Sequence, residues 1–142
     1  MAQWRFLDYY TDGSPPTCPI LDWLGKQDKR VLVALDATIT TLKSEPDWDD
    51  PEVLEFKFFT EEPFAGLGEL RFQIIERVAG SKKEIKRRFR IPGIYRPNER
   101  EFIMLTGCEK SGRIKIPQYA FEDAMAMKVA FEKGKGEVDD HK

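Results

Sequence analysis

Histidine is almost missing from this chain of 142 residues: the single one, His141, stands in a charged tail. A mechanism that needs a neutral-pH histidine base in the core is therefore close to excluded. Cysteine is scarce too. Cys18 and Cys108 lie far apart in no metal-like spacing, so reduced, partly buried thiols are expected rather than a disulfide framework. No run approaches the roughly 18 apolar residues of a membrane span, and no membrane association is expected. The opening MAQWRFLDYY has no signal-peptide apolar stretch, which points to the cytoplasm. There is no P-loop, no dinucleotide glycine motif, no paired Cys or His for zinc and no nucleophile elbow. Asp47, Asp49 and Asp50 lack the Gly and Glu of a calcium loop and read as a solvated cluster. Neither a metal nor a cofactor is expected.

What is present is segregated charge. The net charge is −2, yet residues 77–115 hold twelve cations against four acids, so this window is +8 and the remainder −10. A chain that separates charge this way commonly meets a polyanion. The length suits one domain with a real core, and 41% apolar with 34% charged residues fits a soluble protein. The expected division is a domain over 1–133 and a disordered charged tail, GKGEVDDHK, over 134–142.

Residues 2–10 alternate bulky side chains and read as a strand, followed by a turn cluster at Asp12–Pro16. Pro19 suits a helix start, and Gly25 divides a short helix from a longer one. Leu32, Leu35, Ile39 and Leu42 predict one apolar stripe on the longer helix, although Thr38, Thr40 and Thr41 weaken it. SEPDWDDPE, 44–52, reads as an exposed acidic loop. VLEFKFF, within 53–64, is ambiguous, with a short strand as one reading. ELRFQIIERV, 69–78, alternates as a strand, AGSKK as its hairpin turn and IKRRFRI, 85–91, as the return strand. Pro92–Gly93 and Arg96–Asn98 read as bends. EFIMLTGC, 101–108, is apolar on both faces, as a central strand is. EKSGRIKIP reads as a polar loop, and Pro117 opens a helix to about Lys133 with a stripe of Ala120, Ala124, Met127 and Phe131.

Period two places Ile85, Arg87, Phe89 and Ile91 on one face of their strand and Lys86, Arg88 and Arg90 on the other. If the apolar sides pack on helices, Arg71, Arg77, Lys86, Arg88 and Arg90 share one open face. Like charges on neighbouring strands destabilise a sheet, so tolerating them points to an anionic ligand. Arg71 has a second reading, as an ion-pair partner of Glu69 or of an acid on the long helix.

In the order GLGELRF (66–72), RRFRI (87–91), EFIMLTGCEKSGRIKIP (101–117) and PQYAFEDAMAMK (117–128), the chain resembles the RelE/ParE toxin superfamily, nearest its HigB-like, phage-derived branch. The likeness runs to about residue 131. It implies a compact α/β (α+β) fold, with a mainly antiparallel sheet, two N-terminal helices and a C-terminal helix. It also implies a type II toxin, most often a ribosome-dependent mRNA endonuclease silenced by a cognate antitoxin through an acidic or helical segment. A minority branch inhibits DNA gyrase, and a non-catalytic binding module on the same fold is the alternative. Attack of a ribose 2′-hydroxyl needs a base, charge stabilisation at phosphorus and a proton for the leaving oxygen. Clustered cations stabilise that charge, and a lysine crowded by cations can move a proton. By resemblance, the catalytic positions are Arg90, the loop cation Lys110 and Tyr119, with Phe121 competing for the place of Tyr119. Arg71, Arg77, Lys86, Arg88, Arg113 and Lys115 are the RNA-binding set. The histidines of some HigB-like toxins have no counterpart here, the hairpin VAGSKKEIKRR is long, and the pI near 5.6 is low for the family.

Overall fold

The computed structural model describes residues 3–142. Among them the chain forms a mixed α/β fold with three helices and one eight-stranded, mostly antiparallel sheet. The strands are β1 (Arg5–Tyr10), β2 (Phe56–Phe58), β3 (Gly68–Arg77), β4 (Glu84–Arg96), β5 (Glu101–Met104), β6 (Cys108–Ser111), β7 (Ile114–Ile116) and β8 (Glu137–Asp140). The helices are α1 (Pro19–Leu24), α2 (Lys29–Lys43) and α3 (Ala120–Glu132). The main path of the sheet is β2-β3-β4-β5-β1-β8, and β6 joins β4 and carries β7. β1 runs parallel to β5, and the other pairs are antiparallel. No described helix is long and apolar enough to cross a membrane.

Strand alternation sends successive side chains to opposite faces, and each face has its own core. Phe6, Leu70, Phe72, Phe89, Ile91, Phe102 and Met104 meet α1 and α2. Leu7, Tyr9, Ile94, Ile103 and Leu105 meet α3. β5 lies between β1 and β4, so Phe102, Ile103 and Met104 are all buried, as its two apolar faces predict.

Asp28 caps α2 by accepting from the backbone N–H of Arg30 and Val31 at 3.0 and 3.3 Å. The buried stripe is Val31, Leu35, Thr38, Ile39 and Leu42. Val31 takes the place expected for Leu32, which faces solvent. The threonines fit because the hydroxyls of Thr38 and Thr41 donate to the carbonyls of Ala34 and Ala37, at 2.9 and 3.0 Å. In α3 the stripe holds at Ala120 and Ala124, Phe121 is buried beside them, and Met127 and Phe131 are half-buried.

Several expectations are corrected. The loop 44–52 is acidic, but its Trp48 is 2% exposed and stacks on both Trp4 and Tyr95 at centroid distances of 4.1 and 5.8 Å. Pro92–Gly93 does not bend the chain away: β4 runs through both residues, because Gly93 can lie against the Phe102 ring and the Ile103 backbone where a Cβ would collide. The stretch after Cys108 is a hairpin, β6–β7, turned by Gly112 at φ +61°. The tail expected to be disordered forms β8 against β1. His141 fastens it, since its backbone N–H donates to the Phe6 carbonyl at 2.9 Å and its Nδ1 lies 2.8 Å from Oδ1 of the buried Asp8.

Candidate functional site

The register of β3, β4, β6 and β7 stacks cations directly opposite one another on the α3 side of the sheet. Arg71 faces Arg90, Arg88 faces Lys110, and Lys110 faces Lys115. Such pairs repel, and here three occur in succession. Arg71, Arg90, Lys110 and Lys115, with Lys57 from β2, surround a cavity of about 130 Å³. Phe59, Phe64 and Phe121 form its apolar wall. The Lys115 ammonium lies 4.5 Å from the Phe121 ring centroid and 5.1 Å from that of Phe64, and the Lys57 ammonium lies 5.2 Å from that of Phe59. These aromatic faces hold the ammoniums in place by cation–π attraction.

One carboxylate stands among these five cations. Glu69 is 3% exposed, with Arg71 Nε 3.5 Å from one oxygen and Arg90 Nε 3.3 Å from the other. The ion-pair reading of Arg71 is therefore realised through Glu69. The geometry leaves a deficit, because Glu69 Oε2 and Arg71 Nε are buried without a hydrogen-bond partner. Burial pushes the Glu69 carboxyl above its ordinary range despite the pull of Arg71, Arg90 and Lys57. Burial, assisted by Arg71, lowers the Arg90 guanidinium. Arg90 is pinned by donating to the Phe89 carbonyl at 2.9 Å. Among the described residues, Lys57, Arg88, Lys110 and Lys115 form no ion pair.

The opposite face of β4 shows what a structural cation looks like. Arg87 meets three acids: Glu109 at 2.9 Å, Glu76 at 3.1 Å and Asp28 at 3.2 Å. Its hydrogen bonds to Glu109, then those to Glu76 and Asp28, raise its pKa. Arg87 alone is supplied with three carboxylates, whereas the five cations around the cavity share one.

Arg71 and Arg90 also line a second groove of about 640 Å³, which Arg88 joins, bounded by Ala34, Ala37 and Thr38 of α2 and by Leu54. β2 covers β3 only from Gly68 to Leu70, so this groove follows the rest of the β3 edge.

Of the residues selected from sequence, the structure brings together Arg71, Arg90, Lys110 and Lys115, with Arg88 beside them. Arg77 lies at the far end of β3 and pairs with Glu84 at 3.8 Å. Lys86 is exposed opposite Ile75, and Arg113 is exposed in the β6–β7 turn. Tyr119 is 61% exposed before α3, and the cavity wall is formed by its competitor Phe121. Sequence reading missed Lys57, which sat in an ambiguous segment, and the central place of Glu69. The signal for Glu69 was its spacing of two from Arg71 on a strand, which puts both on one face. His141 is engaged with Asp8 rather than with this cluster. No group of metal-ligating side chains occurs among the described residues.

A pocket of this kind can hold a tetrahedral anion, with guanidiniums and ammoniums arriving from five strands. It can also absorb extra negative charge on that anion, which preorganised donors do at little reorganisation cost. The chain matches no family model, no curated protein and no solved structure.

Proposed function

We propose that this chain is a cytoplasmic RNA-directed toxin of the RelE/ParE kind: a ribosome-dependent mRNA endonuclease whose cation-lined cavity grips the scissile phosphodiester. The observation that carries the reading is the excess of cations at one place, with Arg71 opposite Arg90 and Lys110 opposite both Arg88 and Lys115. Arg90 and Lys110 are the residues proposed to touch the reacting phosphate, and Arg71, Arg88 and Lys115 extend the grip along the strand. Arg77, Lys86 and Arg113 would meet more distant phosphates. A cognate antitoxin would silence the protein by laying an acidic or helical segment over the same face. A second reading, a binder of the same fold that does not cut, draws support from one observation. The sole histidine and the expected tyrosine both stand away from the cavity.

Primer-extension mapping of transcripts after brief induction in cells separates the two. The expected result is discrete cuts in translated messages, lost in Arg90→Ala. An intact message pool with normal growth would refute the endonuclease and leave the binder. Salt titration of RNA affinity serves as the companion measurement, because each phosphate contact removed lowers the slope of log K against log salt by about 0.7 on a single strand. Unchanged RNA affinity in Arg90→Ala plus Lys110→Ala would defeat both readings.

A further inference from the structure

β3 is paired with β4 along its whole length, but along its other edge only in part. The last bond on that edge runs from the Arg71 N–H to the Glu55 carbonyl at 2.8 Å. Alternation turns the N–H and C=O groups of Gln73, Ile75 and Arg77 to the same side as those of Arg71. No strand among the described residues pairs with them there. The edge is thus open from Phe72 to Arg77, a length of roughly 20 Å.

The two faces beside this edge differ. On the α2 side the groove of about 640 Å³ continues into one of about 450 Å³ through the shared residues Ala34, Ala37 and Gln73. The short alanine side chains leave the space between α2 and β3 unfilled, and Val33 and Ile74 extend its apolar lining. On the other face, Arg71, Arg88 and Arg90 reach the groove against a single carboxylate, Glu55, and Lys86 stands opposite Ile75. We propose that the open edge of β3 is a peptide-binding site, which takes an extended segment of a partner protein as an added strand whose apolar side chains alternate with acidic ones. Hydrogen bonds to the main chain of Gln73 and Ile75 supply affinity, and the alternate side chains supply choice. Every second residue of the added strand lies beside Phe72, Ile74 and the alanines of α2, and the others meet guanidiniums. The same charges disfavour a second copy of this chain, because two such edges would set cations against cations. An RNA strand matches the cations but not the apolar floor. The inference does not rest on the nuclease reading.

The probe is an eight-residue peptide of alternating valine and glutamate with blocked ends, titrated into the protein without ribosomes or message. Saturable binding that shifts the Gln73 and Ile75 amide resonances is expected. No saturation by about 1 mM overturns the inference. A peptide with lysine in place of glutamate should bind at least about ten-fold more weakly, and equal binding overturns it. Gln73→Pro removes one outward N–H and spares the bonds to β4, as proline on an edge strand does. Binding about ten-fold weaker is expected, and unchanged affinity overturns the proposal. Should Gln73→Pro fail to fold, as judged by its thermal melt, two N-methylated forms of the glutamate peptide decide. One carries methyl groups on the valine nitrogens, the other on the glutamate nitrogens. Only one set of nitrogens faces β3 in an added strand, so one form should lose binding and the other keep it. Equal behaviour of the two overturns the assignment. Shifts of the same amides by a six-uridine RNA but not by the peptide would make the groove a nucleic-acid track. A dimer abolished by Gln73→Pro would give the edge to a second copy. Either result overturns the inference. Failure of the peptide leaves the nuclease reading standing, and failure of the nuclease reading leaves the peptide site standing.

Discussion

Adjacent arginines of β4 should have opposite consequences when each is replaced by methionine, which keeps the aliphatic length and removes the charge. Arg87 faces α2 and makes two bonds to Glu109, at 2.9 and 3.1 Å, and one to Glu76 at 3.1 Å. Its side chain is 23% exposed, against 29% and 27% for the two acids. Buried hydrogen bonds to charged groups contribute about 1.5–3 kcal/mol each, and partial exposure reduces that toward about 1 kcal/mol per carboxylate. Loss of the pairs with Glu109 and Glu76, together with the more exposed contact to Asp28, leaves these acids facing one another and should cost about 2 kcal/mol. With a urea slope of about 1.5 kcal/mol per M, the midpoint should fall by roughly 1.3 M. Arg88, pointing the other way with no ion pair among the described residues, should change stability by less than about 0.5 kcal/mol, yet lower RNA affinity and its salt slope. Urea denaturation followed by tryptophan fluorescence, with salt titration of RNA binding, reads both effects. The division of β4 into a structural and a ligand-facing side would be refuted if Arg88→Met proved the destabilising one, or if Arg87→Met left the midpoint unmoved.

Trp48→Ala removes a ring in contact with Trp4, Phe6, Phe56, Tyr95 and Phe102, and should cost about 3–5 kcal/mol with loss of near-ultraviolet circular dichroism. His141→Ala leaves Asp8, 2% exposed, without its ring partner; a stability loss of about 1–3 kcal/mol and faster amide exchange along β8 are expected. Glu69 has a folded pKa above its ordinary 4.5, so between those values the native state binds more protons than the unfolded one. Wild-type stability relative to Glu69→Gln should therefore fall as pH rises through that window, measured by parallel denaturation series. Cys108 is buried, with its thiol pushed up to about 11, so it should resist thiol reagents until the protein is unfolded by denaturant.

What could be read from the sequence follows from where each residue's neighbours lie. The faces of β4 were legible because alternation is local: Arg87 falls with Phe89, and Arg88 with Arg90, whatever the rest of the chain does. The cation cluster was legible for the same reason. β6–β7 was not, because Ile114 and Ile116 stay exposed and so lack the one-sided burial that marks a strand, although Ser111–Gly112 carried a turn signal. β8 has only the sequence EVDD, exposed throughout. Its order comes from pairing with β1 and from the contact of His141 with Asp8, partners that no local pattern announces. Trp48 was assigned to solvent by its acidic neighbours, while its ring found Trp4 and Tyr95 from distant parts of the chain. At the candidate site the cations were visible and the orphaned acceptor was not, because a hydrogen-bond deficit exists only once the five strands of the site have met.

The pairing of β1 has a consequence for how the molecule comes to exist on the ribosome. Arg5 bonds to Glu101 and to Asp140, 96 and 135 residues along the chain. At roughly 5–20 residues per second of synthesis, β1 waits several seconds for its first strand neighbour and longer for its second. The strands from β2 to β7 run without interruption from Phe56 to Ile116, and β3–β4 and β6–β7 are local hairpins of the kind that form in microseconds. The basic face is thus encoded in one continuous stretch that can assemble as it emerges, while the backbone edge of β1 stays unpaired until β5 follows and its Leu7 and Tyr9 wait for α3. Chaperone protection and premature termination should accordingly act on the first strand, whereas the segment that carries the cations is complete some twenty residues before the sheet is closed by β8.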